Sequence, residues 1–303
     1  MGLLPLWTYL TLAAFLVGCA VKAFRYATMP MHLRWELYPV AHEKGKASYG
    51  GSYFEELDWW TKPLESSKLG EVKVIAEEVL TLKAVRENNP SLWPWSLAFH
   101  YGLYLLFGLG AALVVGAGAL LAGIRPLGWL AGGRLLSVWG AAGIALALVG
   151  CLGLLVRRLA NDGLRRSSTP ADFFHLFLLL AVFVASAGSW LAMDREYGVA
   201  AGYVAVLLSG RPVTPPGGWF SAQVLLLGAF LLYLPWSHMT HMFSKYFTWH
   251  SVRWDDRPNR VGSSIEAKAS RLLMLPVHWS APHIQGDGRK TWADVAQNNN
   301  EEA

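Results

Sequence analysis

Four histidines fall inside long apolar runs: His100, His175, His238 and His241, with Asp172 three residues ahead of His175. Ionisable side chains in hydrocarbon are costly, and where a chain keeps them they mark functional candidates. A neutral imidazole can offer one ring nitrogen to a metal while the other donates a hydrogen bond. Two imidazoles on facing helices can therefore supply both axial ligands of a b-type haem in a bundle core. A single one can equally serve as a hydrogen bonder between helices. His238 and His241, at i and i+3, also have a spacing for zinc or copper, although no carboxylate or thiolate completes a familiar set with them. By contrast His32, His42, His250, His278 and His283 lie in polar segments and carry no assigned role.

Depth narrows these options. His100 follows Pro94 by six residues, which is about 9 Å of helix. His241 precedes Lys245 by four residues, about 6 Å. All four histidines then fall in one half of the membrane and can converge. A flat macrocycle between helices needs small residues beside it, and Gly102, Gly108, Gly110, Gly228 and Ala229 are available. Arg157, Arg158 and Lys245 are cations on the side where propionates would lie.

The elements that must position these residues are membrane spans. Of 303 residues, 53% are hydrophobic and only 16% charged, where a soluble domain carries nearer a quarter. Crossing ~30 Å of hydrocarbon takes about 20 apolar residues. Five runs meet that length: Leu3 to Phe24, then about 93–121, 135–156, 173–193 and 219–243. The first has no basic lead-in or clean cleavage site, so it reads as a retained helix rather than a signal peptide. The expected fold is an all-α integral membrane protein, divided into a first helix (1–25), a long loop (26–92), a four-helix bundle (93–243) and a polar tail (244–303). Residues 197–210 are apolar but too short to span.

Arg157, Arg158, Arg165 and Arg166 crowd one loop, and the first loop and the tail are also basic. The bias toward Lys and Arg on the cytoplasmic side then places the N-terminus outside and the C-terminus in the cytoplasm. The net charge of +5 has the same origin, so no nucleic-acid partner is implied. Within the first loop, residues 71–87 carry Val74, Ile75, Val79, Leu82 and Val85 at helical spacing, which predicts one amphipathic helix. The tail segment Pro276 to His283 reads either as an extended arm for another protein or as loosely ordered chain.

Several chemistries are excluded. The two cysteines, Cys19 and Cys151, are far apart in apolar runs, so this chain alone holds no iron–sulfur cluster and no covalently attached haem. No nucleophilic triad, phosphate loop or dinucleotide fingerprint stands in a suitable context.

Over about residues 93–247 the chain resembles the gamma-subunit family of respiratory nitrate reductase, the membrane cytochrome b. It looks most like the relatives that serve heterodisulfide-reductase-like or sulfite-reduction-associated menaquinol oxidoreductases. The resemblance rests on Ala98-Phe99-His100-Tyr101-Gly102, Leu155-Val156-Arg157-Arg158-Leu159, Ser168-Thr169-Pro170-Ala171-Asp172 and Leu234-Pro235-Trp236-Ser237-His238-Met239-Thr240-His241. It implies a haem b with His100 and His241 as axial ligands. Positions for a second, outer haem fall near Gly110 and Gln223, neither of them histidine, so the outer site is expected to be absent or replaced by a pair of His175 with His238.

The family's quinone site is implied as well, with Asp172, His175 and His238 as its candidates here. The first loop, with Trp35, Tyr38, Trp59 and Trp60, is the expected docking surface for a cytoplasmic iron–sulfur partner of heterodisulfide-reductase type. The expected function is electron exchange between the quinone pool and that partner, in the inner (cytoplasmic) membrane. Two rivals make different predictions. A cofactor-free membrane anchor has no visible absorption, and a histidine-lined proton or metal transporter works without a partner; no inverted repeat favours the latter.

Overall fold

The structure is a computed structural model, and it describes residues 2–28, 56–58, 61–62, 67–211, 216–247, 260–281 and 284–298. Among these, five helical segments are long and apolar enough to cross a membrane: Leu3–Thr28, Trp93–Leu121, Arg125–Ala160, Pro170–Ala192 and Gly218–Trp236. The helices are α1 (Leu3–Thr28), α2 (Lys68–Thr81), α3 (Lys83–Asn88), α4 (Trp93–Leu121), α5 (Arg134–Ala160), α6 (Asp162–Ser167), α7 (Pro170–Ala192), α8 (Gly198–Ser209), α9 (Gly218–Tyr233) and α10 (His241–Lys245). Two further helices, α11 (Ser264–Leu273) and α12 (Trp292–Asn298), flank a hairpin of β1 (Ser280–Ala281) and β2 (Ile284–Gln285). The chain forms two compact units, one of residues 1–19 and 76–238 and the other of residues 20–75 and 239–303.

The first unit is a helical bundle held by close backbone approach. A bilayer offers no hydrophobic drive between helices, so small residues and tight packing must hold them together. The seam between α4 and α5 is built that way. A Cβ on Gly102 would run into the Ala147 backbone, and one on Gly150 into the Phe99 backbone. Gly143 packs under Leu105 and Leu106. In its most apolar stretch α7 is 44% buried and α1 only 17%, so α7 is central and α1 peripheral. The peripheral helix is still fastened: Trp7 lies over Gly228 of α9, Thr8 shares a 2.7 Å hydrogen bond with Tyr203 of α8, and Tyr9 donates to the Leu207 carbonyl.

The end of the bundle at the α7–α8 turn is closed by an apolar cluster of Leu109, Ala112, Leu113, Leu136, Tyr197 and Ala201. Asp194 is buried there, and its carboxylate accepts from the Val199 and Ala200 amides at 3.0 and 2.8 Å. It thus answers two of the unpaired donors that every helix start leaves. Burial pushes the Tyr197 phenol up to about 12, with the Asp194 charge adding to the effect.

Three expectations about secondary structure need correction. The fifth span is not one helix to Phe243. It stops at Tyr233 and passes through 3-10 turns at Leu234–Trp236 and His238–Thr240. Pro235 explains the stop, since it lacks an N–H and its ring meets the carbonyl four residues earlier. The amphipathic helix of residues 71–87 is two pieces, broken at Leu82, whose φ of 49° lies in the left-handed region. The tail segment from Pro276 is not a loose arm in its described part: Val277 is buried, Pro276 bridges Thr291, and β1 pairs with β2. The expected docking loop, with Trp35, Tyr38, Trp59 and Trp60, lies outside the described residues, as do His32, His42, His250 and His283.

Candidate functional site

The start of α7 builds one half of the site. Pro170 occupies the first turn, where a missing N–H is harmless and its fixed φ suits the helix. Asp172 folds back on the turn before it: its Oδ2 accepts from the Thr169 amide at 2.8 Å and the Thr169 hydroxyl at 2.9 Å. The other oxygen, Oδ1, is left facing inward, 3.5 Å from Arg158 Nη1 and 3.9 Å from His238 Nε2. Arg158 comes from the last turn of α5 and also lies 5.9 Å from the Phe173 ring centre.

His175 stands one turn further along α7, on the same face as Asp172. It is 5% exposed. Its Nε2 shares a 2.7 Å hydrogen bond with the Tyr233 hydroxyl, from the last residue of α9. Its Nδ1 is buried without a hydrogen-bond partner among the described residues. Leaving such an atom unsatisfied costs about 1–3 kcal/mol. A buried donor or acceptor of this kind asks for an explanation, and a ligand is one.

The break after α9 supplies the other half. Had α9 continued, His238 would have followed its axis; the turns at Pro235 bring it instead against α7. The His175 and His238 rings meet edge to face with centroids 4.4 Å apart. His238 is open to the outside, its side chain 65% exposed. One ligand atom from each of Asp172, His175 and His238 lies within 4.8 Å of the other two.

His100 is placed separately on α4, half-buried, with its ring edge-on to Phe99 at 5.5 Å and 6.3 Å from Tyr104. Its Nδ1 lies 2.7 Å from the Ser96 carbonyl oxygen. A carbonyl only accepts, so Nδ1 carries the proton and Nε2 the lone pair in the neutral ring. That is the arrangement in which imidazoles bind iron or zinc, with the second nitrogen oriented by a backbone carbonyl. The donor chemistry of His100 therefore fits a haem ligand. His241 opens α10 in the second unit, where its side chain is exposed.

The small residues do not serve as expected. Gly102 admits Ala147, Gly108 faces Trp139, whose ring a Cβ there would meet at 2.9 Å, and Gly228 admits Trp7, so three of the four glycines make room for helices. Only Gly110 faces open space. Of the expected propionate cations, Arg157 donates to Asn89 and Ser91 side chains, and Arg158 pairs with Asp172. As placed, His175 and His238, the expected alternative pair for a second haem, have rings nearer together than two ligands on opposite faces of a haem. Axial nitrogens about 2 Å from a metal on opposite faces put two ring centres about 6 Å apart. Edge-to-face rings at 4.4 Å leave no such slot.

Tyr233 is the residue the sequence reading missed. Its signal was present, as a hydroxyl within an apolar run one and a half turns before His238. No family model matches the chain, and no curated protein or solved structure matches it either.

Proposed function

We propose that the chain is the membrane subunit of a quinone-linked oxidoreductase, a cytochrome b-type protein exchanging electrons between the quinone pool and a cytoplasmic iron–sulfur partner. It would lie in the cytoplasmic membrane with its N-terminus outside. The observation that carries this reading is the cluster where α5 ends, α7 begins and α9 breaks. There a buried imidazole nitrogen, His175 Nδ1, has no hydrogen-bond partner among the described residues, beside an exposed histidine and an acid.

A quinone carbonyl oxygen accepts a hydrogen bond, and a quinol hydroxyl donates one. His175 can do the complementary act in either case by exchanging tautomers against the Tyr233 hydroxyl. His238 and Asp172 form the path by which a proton enters or leaves the site from the cytoplasmic side, and Arg158 holds the Asp172 carboxylate in position. Imidazole suits this work because its ordinary pKa lies near neutrality. Two protons must accompany two electrons on a quinone, so a site with several exchangeable groups at a membrane end is what the reaction requires.

The haem would supply one-electron redox chemistry when bound. His100 is its ligand on the geometry of Nδ1 and Ser96. On the resemblance over residues 93–247, His241 would be the second residue to hold it, and the haem number expected is one.

The test is a reduced-minus-oxidised spectrum with a pyridine haemochrome titration on the protein purified with its genomic neighbours. A b-type signal near one haem per chain, lost in His100→Ala or His241→Ala, is the expected result. A folded, assembled protein without visible absorption would leave the membrane-anchor or transporter reading in its place.

A further inference from the structure

We propose that Asp172, His175 and His238 form a binding site for a divalent transition-metal ion of the zinc class, at the end of the bundle. The inference uses the cluster described above but does not rest on the quinone reading, since the ion binds whether or not a quinone does.

Two imidazoles and one carboxylate are a borderline donor set that suits Zn2+, and three protein ligands leave a fourth position open. Mg2+ and Ca2+ prefer all-oxygen shells and are not matched here. Two of the three ligands are presented with their other end already held. Asp172 Oδ2 is engaged by Thr169, which directs Oδ1 to the site. His175 Nε2 is engaged by Tyr233, which orients Nδ1 as the ligand atom. An outer hydroxyl that fixes a ligating imidazole is the usual supporting shell of a metal centre.

The fit is one of ready assembly. Bonds of about 2.0–2.2 Å place neighbouring ligand atoms roughly 3.3 Å apart. The three ligand atoms lie within 4.8 Å of one another, so the set must tighten by up to about 1.5 Å at its widest. The exposed His238, on the short turn after Pro235, is the ligand that moves. Arg158 opposes the ion, because its guanidinium lies 3.5 Å from Asp172 Oδ1. Since the ion and a quinone oxygen would both use His175 Nδ1, they exclude one another.

The experiment is equilibrium dialysis of the tag-free, detergent-purified protein against Zn2+, followed by zinc absorption spectroscopy on the loaded sample. One saturable zinc per chain is expected, with a nitrogen- and oxygen-rich first shell. His238→Gln should weaken it roughly a hundredfold and Tyr233→Phe about tenfold. Arg158→Gln should tighten it several-fold, a gain that misfolding does not produce. His278→Gln, at an exposed histidine of the tail, should change nothing. No saturable zinc, or zinc held equally by His238→Gln, overturns the site. Zinc is read here without haem, quinol or turnover, so loss of this site leaves the quinone reading standing, and failure of quinol oxidation leaves the zinc site standing.

Discussion

The α4–α5 seam and the α7–α9 end of the same bundle use their residues in opposite ways. Along the seam, Gly102, Gly143 and Gly150 let backbone meet side chain and backbone until no space is left. At the other place, Asp172, His175, His238, Tyr233 and Arg158 converge, with one buried nitrogen that has no partner among the described residues. The first region gives stability and no chemistry. The second gives up stability to keep bonding capacity for something that arrives later, a common trade at functional sites.

That contrast breaks most readily at the seam. Gly102→Ala or Gly150→Ala sets a methyl against backbone that cannot yield, and overpacking of this kind costs roughly 3 kcal/mol. The expected outcome is a large fall in the thermal midpoint of the detergent-solubilised protein; an unchanged midpoint would mean the seam is not closed as described. His175→Leu should do the reverse. It removes the unsatisfied nitrogen but also the hydrogen bond to Tyr233, so the midpoint should move by no more than about 1 kcal/mol in stability, while quinol oxidation drops roughly a hundredfold, the usual worth of a positioned proton carrier. Loss of fold and activity together would make His175 a structural residue.

Thr169→Val removes one of two donors to Asp172 Oδ2 and should cost about 0.5–1 kcal/mol, read as a small drop in midpoint with zinc affinity nearly kept. The smallest effect belongs to Gly110→Ala. Its Cβ meets nothing within 4 Å, so the midpoint should stay within roughly 0.5 kcal/mol. A large loss there would show that position to face something bulky when the protein is assembled.

Much of this was legible from residue types. Apolar runs of span length announced themselves because hydrocarbon thickness imposes a length, and all five appear, although the fifth breaks off near Pro235 instead of running to Phe243. The grouping of Asp172, His175 and His238 was foreseeable from their shared depth. What Gly102 and Gly228 do was not legible, because a glycine in a helix marks a close approach without saying of what. The break at Pro235 could have been read from the proline alone, since an interior proline removes a backbone donor. The Leu82 turn could not, as leucine ordinarily favours a helix. Tyr233 was passed over because a tyrosine in a span is equally at home as bulk, and only its 2.7 Å approach to His175 gives it a role.

One further feature bears on how the membrane helices feel events beside them. The last carbonyls of α2 are held by donors from α4 and its start: Tyr104 takes Val79 at 3.0 Å, Tyr101 takes Leu80 at 2.9 Å and the Trp93 indole takes Thr81 at 2.8 Å. Helix ends leave such carbonyls without internal partners, so these bonds also finish α2. Tyr101 and Tyr104 follow His100 on the same helix. A pull that shifts α2 along its axis must either uncap three carbonyls at once or drag those rings with it. The last turn of α2 is thereby fastened to the helix that carries His100, at the two tyrosines that follow it.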